Sequence, residues 1–141
     1  MSDENLIIVG SYNTAINDIL GVKIDEQTIY RSKGLPAHMV KQRHFNCLKH
    51  IDDIPEIILN PDYIGLHIES DDAFSVEYIK VLKRNVLVAV KIDGKSDYLY
   101  VATVHDIQES KLQRRLHSGR FKKIENISEE NENFSEKPID K

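Results

Sequence analysis

Two histidines and several cations lie close together in one early segment, Tyr30-Arg-Ser-Lys-Gly-Leu-Pro-Ala-His-Met-Val-Lys-Gln-Arg-His44. Histidine exchanges protons near neutral pH, and a lysine beside it can hold a phosphate. His38, Lys41 and His44 therefore combine the groups that metal-free cleavage of RNA requires. The alternative for the same residues is a basic helix that is only solvated.

A helix over residues 36–49 would position these side chains, because Pro36 suits a first helical turn. On a helical wheel, His38 lies on the polar side near Lys41, whereas His44 lies in the apolar arc. His38 is thus a ligand-contacting residue or an idle exposed one. His44 either faces a cleft beside a sheet, where it could accept a proton, or is a core histidine hydrogen-bonded to backbone.

Two further candidates lie on predicted strands. Alternation puts Lys91 on one face of the strand 86–92, where it either borders a cleft or simply ends the strand. Thr103 either donates a hydrogen bond to a phosphate oxygen or is only a good strand former. We expect Lys91 to stabilise charge on a phosphate and Thr103 to bind substrate.

A small turn near the end of the chain offers a second cation. Ser118, the Gly119 backbone N–H and Arg120 could converge on a phosphate, or they could form an ordinary helix C-cap. Tyr63 follows a turn and could stack on a base. Arg31 adds a further cation for substrate binding.

Composition and charge set the general class of the protein. The 141 residues suit one domain that can bury a core, and the single cysteine, Cys47, excludes an internal disulfide and a thiolate metal cluster. Without an apolar run of membrane-spanning length or a basic leader, we expect a cytoplasmic protein. Residues 1–29 and 125–141 each carry a net charge of -4, whereas 30–124 carry +4 and all six histidines. A basic centre between acidic ends suits a polyanionic partner.

The chain changes from helical to strand-like near residue 62. The strand-like segments, rich in β-branched and aromatic residues, are 63–68, 76–82, 86–92 and 98–105, with a hairpin turn at 93–97. Residues 52–59 and 106–117 are predicted helices, and 121–124 could add an edge strand. The pattern predicts an α+β fold in which N-terminal helices pack on an antiparallel sheet of about four strands, with a further helix after the last main strand. We divide the chain into a helical lead-in at 1–29, a nuclease-like domain at 30–124 and a disordered acidic tail at 125–141.

Four ordered segments resemble phage-associated nucleases grouped with barnase, EndoU, colicin-type RNases and RelE, the BECR fold. They are 30–44, 54–65, 98–103 and 114–120, and the likeness is greatest to the subgroup found in phage polyvalent proteins. The resemblance implies helices packed on a four-stranded sheet whose exposed face binds RNA. The residues that fall on its motifs are His38, Lys41, His44, Thr103, Ser118 and Arg120.

These observations predict a metal-independent endoribonuclease that needs no cofactor. One of His38 and His44 would act as the base and the other as the acid, while Lys91 and Arg120 stabilise the phosphate. Attack by the ribose 2′-OH would leave a 2′,3′-cyclic phosphate and would spare DNA. The alternative is an inactive nucleic-acid-binding or toxin-neutralising module of the same fold. RNA is the expected partner, with an antitoxin, immunity or host protein as a further candidate.

Overall fold

Seven strands form one mixed sheet in the computed structural model, which describes residues 5–42, 45–70, 73–93 and 98–124. The strands are β1 (Leu6–Ser11), β2 (Thr28–Ser32), β3 (Tyr63–Ser70), β4 (Ala73–Val81), β5 (Asn85–Asp93), β6 (Leu99–Asp106) and β7 (Phe121–Lys123). The helices are α1 (Ile16–Leu20), α2 (Leu35–Lys41), α3 (Ile54–Leu59) and α4 (Glu109–Ser118), with a 3₁₀ segment at Phe45–Asp53. Within the described ranges, no helix is long and apolar enough to cross a membrane.

The predicted architecture, N-terminal helices packed on a four-stranded antiparallel sheet, is wrong. The four predicted strands correspond to β3, β4, β5 and β6, which do pair antiparallel in sequence. However, the sheet runs in the order β1-β2-β6-β5-β4-β3-β7, and β2 pairs with β6 in parallel. The run Leu6–Val9 forms part of β1, because an apolar segment this short does not distinguish a helix from a strand and its pairing with β2 decides.

The helix predicted over residues 36–49 is confirmed only over 36–41, and its continuation as an α-helix is wrong. Helix α2 ends at Lys41, and the backbone from Phe45 follows the tighter 3₁₀ geometry. A helical wheel extended past residue 41 therefore misplaces side chains. Within α2 itself, Leu35 and Met39 are buried, whereas Val40 is 44% exposed.

The later elements follow the sequence more closely. Helix α3 confirms the helix predicted at 52–59, and α4 confirms most of the one predicted at 106–117. Gly119 ends α4 with a φ of 89°, a left-handed conformation that glycine adopts without strain. Strand β7 confirms the predicted last edge strand. Residues 94–97 of the predicted turn lie outside the described residues, and so does the predicted acidic tail at 125–141.

The two faces of the sheet are covered unequally. One face carries the main core, to which the helices α1, α2 and α3 contribute Ile16, Leu35, Met39, Ile57 and Ile58. A smaller core lies on the other face beneath α4, and it contains Ile79, Leu87, Ala89, Ile107, Leu112 and Phe121. Strand β5 is buried on both sides from Val86 to Val90, because it lies between the two cores. Beyond the smaller core, this second face (the open face) carries polar side chains.

Candidate active site

A row of polar and aromatic residues crosses the open face on four adjacent strands. His67 on β3 lies opposite Ser75 on β4, Ser75 opposite Lys91 on β5, and Lys91 opposite Tyr100 on β6. Side chains at paired positions project to the same face of a sheet, about 4.8 Å apart from strand to strand. Strand pairing therefore aligns an imidazole, a hydroxyl, an ammonium and a phenol.

Arg120 joins this row to a buried carboxylate. Its Nη2 donates hydrogen bonds to the two carboxylate oxygens of Glu77, at 3.0 and 3.1 Å. The same Nη2 lies 3.3 Å from His67 Nδ1, which can only accept from a guanidinium, so the imidazole proton is placed on Nε2. Glu77 is only 7% exposed. The three side chains form one cluster, the Glu77–His67–Arg120 cluster.

A glycine makes this approach of Arg120 possible. Strand β7 pairs with β3 so that Phe121 lies opposite Gly65. A Cβ on Gly65 would lie 2.3 Å from Phe121 Cδ1 and 2.9 Å from the Arg120 carbonyl oxygen, closer than real Cβ atoms come. Only glycine lets β7 lie at this distance, which brings the Arg120 side chain over β3 and β4.

A second arginine adds positive charge beside the cluster. The guanidinium carbons of Arg115 and Arg120 lie 5.4 and 5.8 Å from the ring centroid of Phe121, within cation–π range. Burial lowers the pKa of the Arg115 guanidinium from its ordinary value, and the nearby Arg120 lowers it further. A cleft of about 910 Å³ opens here, and it is lined in part by Arg114, Arg115, His117 and Arg120.

The structure places three of the predicted site residues on the open face outside the smaller core. Lys91 lies in the polar row, where its Nζ is 3.1 Å from a carboxylate oxygen of Glu69. Arg120 belongs to the cluster described above. Thr103 lies opposite Ala89, and its hydroxyl donates a hydrogen bond of 3.2 Å to Gln42, just after α2. Lys91, Arg120 and Thr103 thus share a face, although they come from separate elements.

The remaining predicted residues lie elsewhere or have local roles. Ser118 Oγ accepts the Arg120 N–H, and the Gly119 N–H donates to the Leu116 carbonyl, so this turn uses its own donors as a helix C-cap. Tyr63 is half-buried against the smaller core. On β2, Arg31 alternates to the face opposite that of Tyr30 and donates to the Ser32 carbonyl.

His38, one of the two histidines that the sequence places first, does not join the cluster. His38 and Lys41 are exposed in the last turns of α2. That helix approaches the open face at its end, through the hydrogen bond of Gln42 to Thr103. His44 lies outside the described residues.

Sequence reasoning missed His67 and Glu77. A signal existed for both. Glu77 lies between Val76 and Tyr78, both of which are buried. A carboxylate at such a position needs a charged or hydrogen-bonding partner. His67 follows Tyr63 and Gly65 at strand spacing. What the sequence could not show is the pairing register that places both beneath Arg120.

Together, these groups suit acid–base chemistry on a phosphate. Glu77 can take a proton, His67 can give one, and Arg120 and Lys91 supply positive charge. A sheet that carries such a site is the kind that a nuclease would use. Residues 7–114 match the family phage-Barnase-EndoU-ColicinE5/D-RelE like nuclease3. The chain belongs to this nuclease family. Comparison with curated proteins and with solved structures found no match. His67, Glu77 and Lys91 lie inside the matched segment, whereas Arg120 lies beyond it.

Proposed function

We propose that this protein is a metal-independent endoribonuclease whose active site is the Glu77–His67–Arg120 cluster with Lys91. Glu77 removes the proton of a ribose 2′-OH, and the 2′-oxygen attacks the adjacent phosphorus. The bond from phosphorus to the 5′-oxygen breaks, and protonated His67 gives its proton to that leaving oxygen. The products are a 2′,3′-cyclic phosphate and a 5′-hydroxyl. The arginine and the lysine stabilise the charge that develops on the phosphate.

The observation that carries this proposal is the contact of one Arg120 nitrogen with both the carboxylate and the imidazole. A phosphate entering the cluster would bind the guanidinium and leave the imidazole free to take up a proton. The Arg120 Nε supports this role, because it is buried and has no hydrogen-bond partner among the described residues. A buried donor without a partner is a group that a ligand oxygen can satisfy.

The activity test uses one RNA and its DNA counterpart in excess EDTA. We expect the purified protein to cut the RNA, to leave 2′,3′-cyclic phosphate ends and to spare the DNA, which lacks the nucleophilic hydroxyl. A single 2′-deoxy substitution at the cut site should block cleavage there. Cleavage that requires Mg²⁺, or equal cleavage of DNA, contradicts the proposal.

Variants distinguish this site from the early histidines. Glu77→Gln and His67→Ala should each lower the cleavage rate by about 10²- to 10⁴-fold, the usual contribution of a general acid or base. His38→Ala and His44→Ala test the assignment that the sequence favoured. If these two lower the rate as strongly and Glu77→Gln does not, the chemistry belongs to α2 and the segment after it rather than to the open face.

One observation favours an alternative, an inactive RNA-binding module. Both cations of the site already have carboxylate partners, Arg120 with Glu77 and Lys91 with Glu69. A site neutralised in this way could hold RNA without activating it. This alternative predicts salt-sensitive RNA binding, no cleavage product, and RNA binding that is kept or strengthened in Glu77→Gln, because the change frees Arg120 for phosphate.

A further inference from the structure

Three tyrosine rings lie together on the open face, beside the polar row. Tyr30 on β2 pairs with Tyr100 on β6, and Tyr98 precedes Tyr100 by two residues, so all three project to the same side. The ring of Tyr98 lies 5.5 Å from that of Tyr30 and 6.1 Å from that of Tyr100, with both pairs edge to face. We name these three residues the tyrosine platform.

The platform is built by the parallel pairing that distinguishes this sheet. At the neighbouring register position Ile29 pairs with Leu99, and both residues project to the opposite face and are buried in the main core. The three tyrosines are half-buried, so that part of their surface still meets solvent. The strands are thus fixed from one side, which holds the rings in place while solvent reaches their other surface.

The platform continues the proposed active site. Tyr100 lies opposite Lys91, the lysine of the polar row, and two strands from Ser75. With strands about 4.8 Å apart, Tyr100 lies roughly 10 Å across the sheet from β4, which carries Glu77, and roughly 14 Å from β3, which carries His67. That is within reach of a nucleotide next to the scissile phosphate. A cation beside solvent-accessible aromatic rings is the combination that binds single-stranded nucleic acid, with the charge on the backbone and the rings against the bases.

We infer that the tyrosine platform stacks unpaired bases next to the cleavage site, so that the substrate is single-stranded RNA rather than a duplex. This inference rests on the proposed ribonuclease function and adds its substrate class. Stacking needs a base whose face is free, and in a duplex both faces are already stacked on neighbours. Stacking of this kind is tolerant of sequence, because every base has a π-face.

The test separates binding from cleavage with a labelled RNA that carries 2′-O-methyl groups and therefore cannot be cut by 2′-OH attack. Anisotropy measures its affinity as a single strand and after annealing to its complement. The wild-type protein should bind the single strand at least tenfold more tightly. Tyr100→Ala and Tyr98→Ala should each weaken that binding about tenfold, the scale of one lost stacking contact. Tyr100→Phe keeps the ring and should stay within about twofold of wild type.

The control variant is Leu59→Ala, which removes a 70% exposed apolar side chain from α3, a helix that packs against the main core. A circular-dichroism melt identifies any tyrosine variant that fails to fold, and Tyr100→Leu then replaces it because leucine keeps apolar bulk without a π-face. The inference is overturned if Tyr100→Ala, or Tyr100→Leu where it replaces it, binds the single strand as tightly as the control Leu59→Ala does. It is also overturned if the wild-type protein binds the duplex as tightly as the single strand, or does not bind the methylated strand at all.

Cleavage of unmodified RNA by the same proteins separates the two proposals. If wild type cuts RNA but the ring variants bind as wild type does, the stacking inference fails alone. If wild type cuts nothing while the ring variants lose binding, the catalytic proposal fails and the platform remains an RNA-binding site.

Discussion

The two faces of the sheet are built from alternate residues of the same strands, yet they do different work. On β4, Val76 and Tyr78 are buried in the main core, whereas Ser75 and Glu77, which alternate with them, belong to the open face. The first pair contributes apolar burial, which favours folding. Glu77 adds a buried carboxylate, whose desolvation is offset by its pairing with Arg120. The comparison indicates that stability and chemistry can be changed separately, one face at a time.

The largest expected effect is a loss of stability from a change in the main core, on the face of the sheet opposite the open face. Ile64 is fully buried in the main core, and Ile64→Ala should lower the free energy of unfolding by about 2–5 kcal/mol. The RNA cleavage rate per folded molecule should stay unchanged, since Ile64 points away from the open face. Urea unfolding and a cleavage assay on the folded fraction measure the two quantities.

Ile68 is the matched control for this prediction. It lies on the same strand and the same side, but it is 66% exposed. Ile68→Ala should change the free energy of unfolding by less than about 0.5 kcal/mol. Equal losses of stability in the two variants would mean that burial in the main core is not what makes Ile64 stabilising.

The adjacent residue, Gly65, sharpens the comparison because it belongs to the open face. Gly65→Ala places a methyl group against Phe121 and the Arg120 backbone, which should cost about 1–3 kcal/mol of stability. Unlike Ile64→Ala, it should also slow cleavage in the folded fraction, because β7 carries Arg120. Gly10→Ala is the control, since its Cβ would meet Ile58 at an ordinary 3.5 Å. A Gly65→Ala protein that is destabilised but fully active would separate Arg120 from the chemistry.

The fold could be predicted from the sequence where local patterns decide it. The β-branched content of β3 to β6 and the glycine after α4 predicted those elements correctly. The parallel pairing of β2 with β6 depends on contacts between residues about seventy positions apart, and no local pattern contains it. The helix predicted over 36–49 ends early for a related reason. The helical spacing of apolar residues continues past residue 41, although the backbone from Phe45 is 3₁₀ rather than α-helical.

The site divides in the same way. The sequence makes Lys91 a candidate because a lysine at the end of an apolar strand is conspicuous, and Arg120 because it follows a helix-ending glycine; their part in an active site stays a prediction. His67 and Glu77 become a pair only through the register of β3 with β4 and the approach of β7 across Gly65. Residue type identified the cations, but only tertiary pairing identifies their partners.

A smaller effect is expected from Tyr78, the core-facing neighbour of Glu77. Its hydroxyl is buried and has no hydrogen-bond partner among the described residues, so Tyr78→Phe should change stability by no more than about 1 kcal/mol at pH 7. Burial raises the pKa of Tyr78, and the nearby Tyr12 raises it further. The folded state therefore holds this proton more tightly than the unfolded state.

The sign of the pH dependence follows from that difference. The stabilising contribution is complete below the unfolded tyrosine pKa of about 10, and it is lost as pH rises towards the higher folded pKa. Wild type should thus lose stability above about pH 10, and Tyr78→Phe should lose less, as measured by urea unfolding at several pH values. If Tyr78→Phe is as alkali-sensitive as wild type, another group, such as Tyr12, dominates.

The smallest expected effect tests whether the open face restrains its own cations. Glu69 pairs with Lys91 at 3.1 Å, and both side chains are partly solvent-exposed, so Glu69→Gln should change stability by less than about 1 kcal/mol. Removing the carboxylate leaves the lysine more available to phosphate, and RNA affinity should rise a few-fold at low salt. Glu56→Gln makes the same change in net charge on α3, away from the open face. A larger gain for Glu69→Gln than for Glu56→Gln would show that the local ion pair, rather than total charge, limits binding; equal gains would assign the effect to long-range attraction.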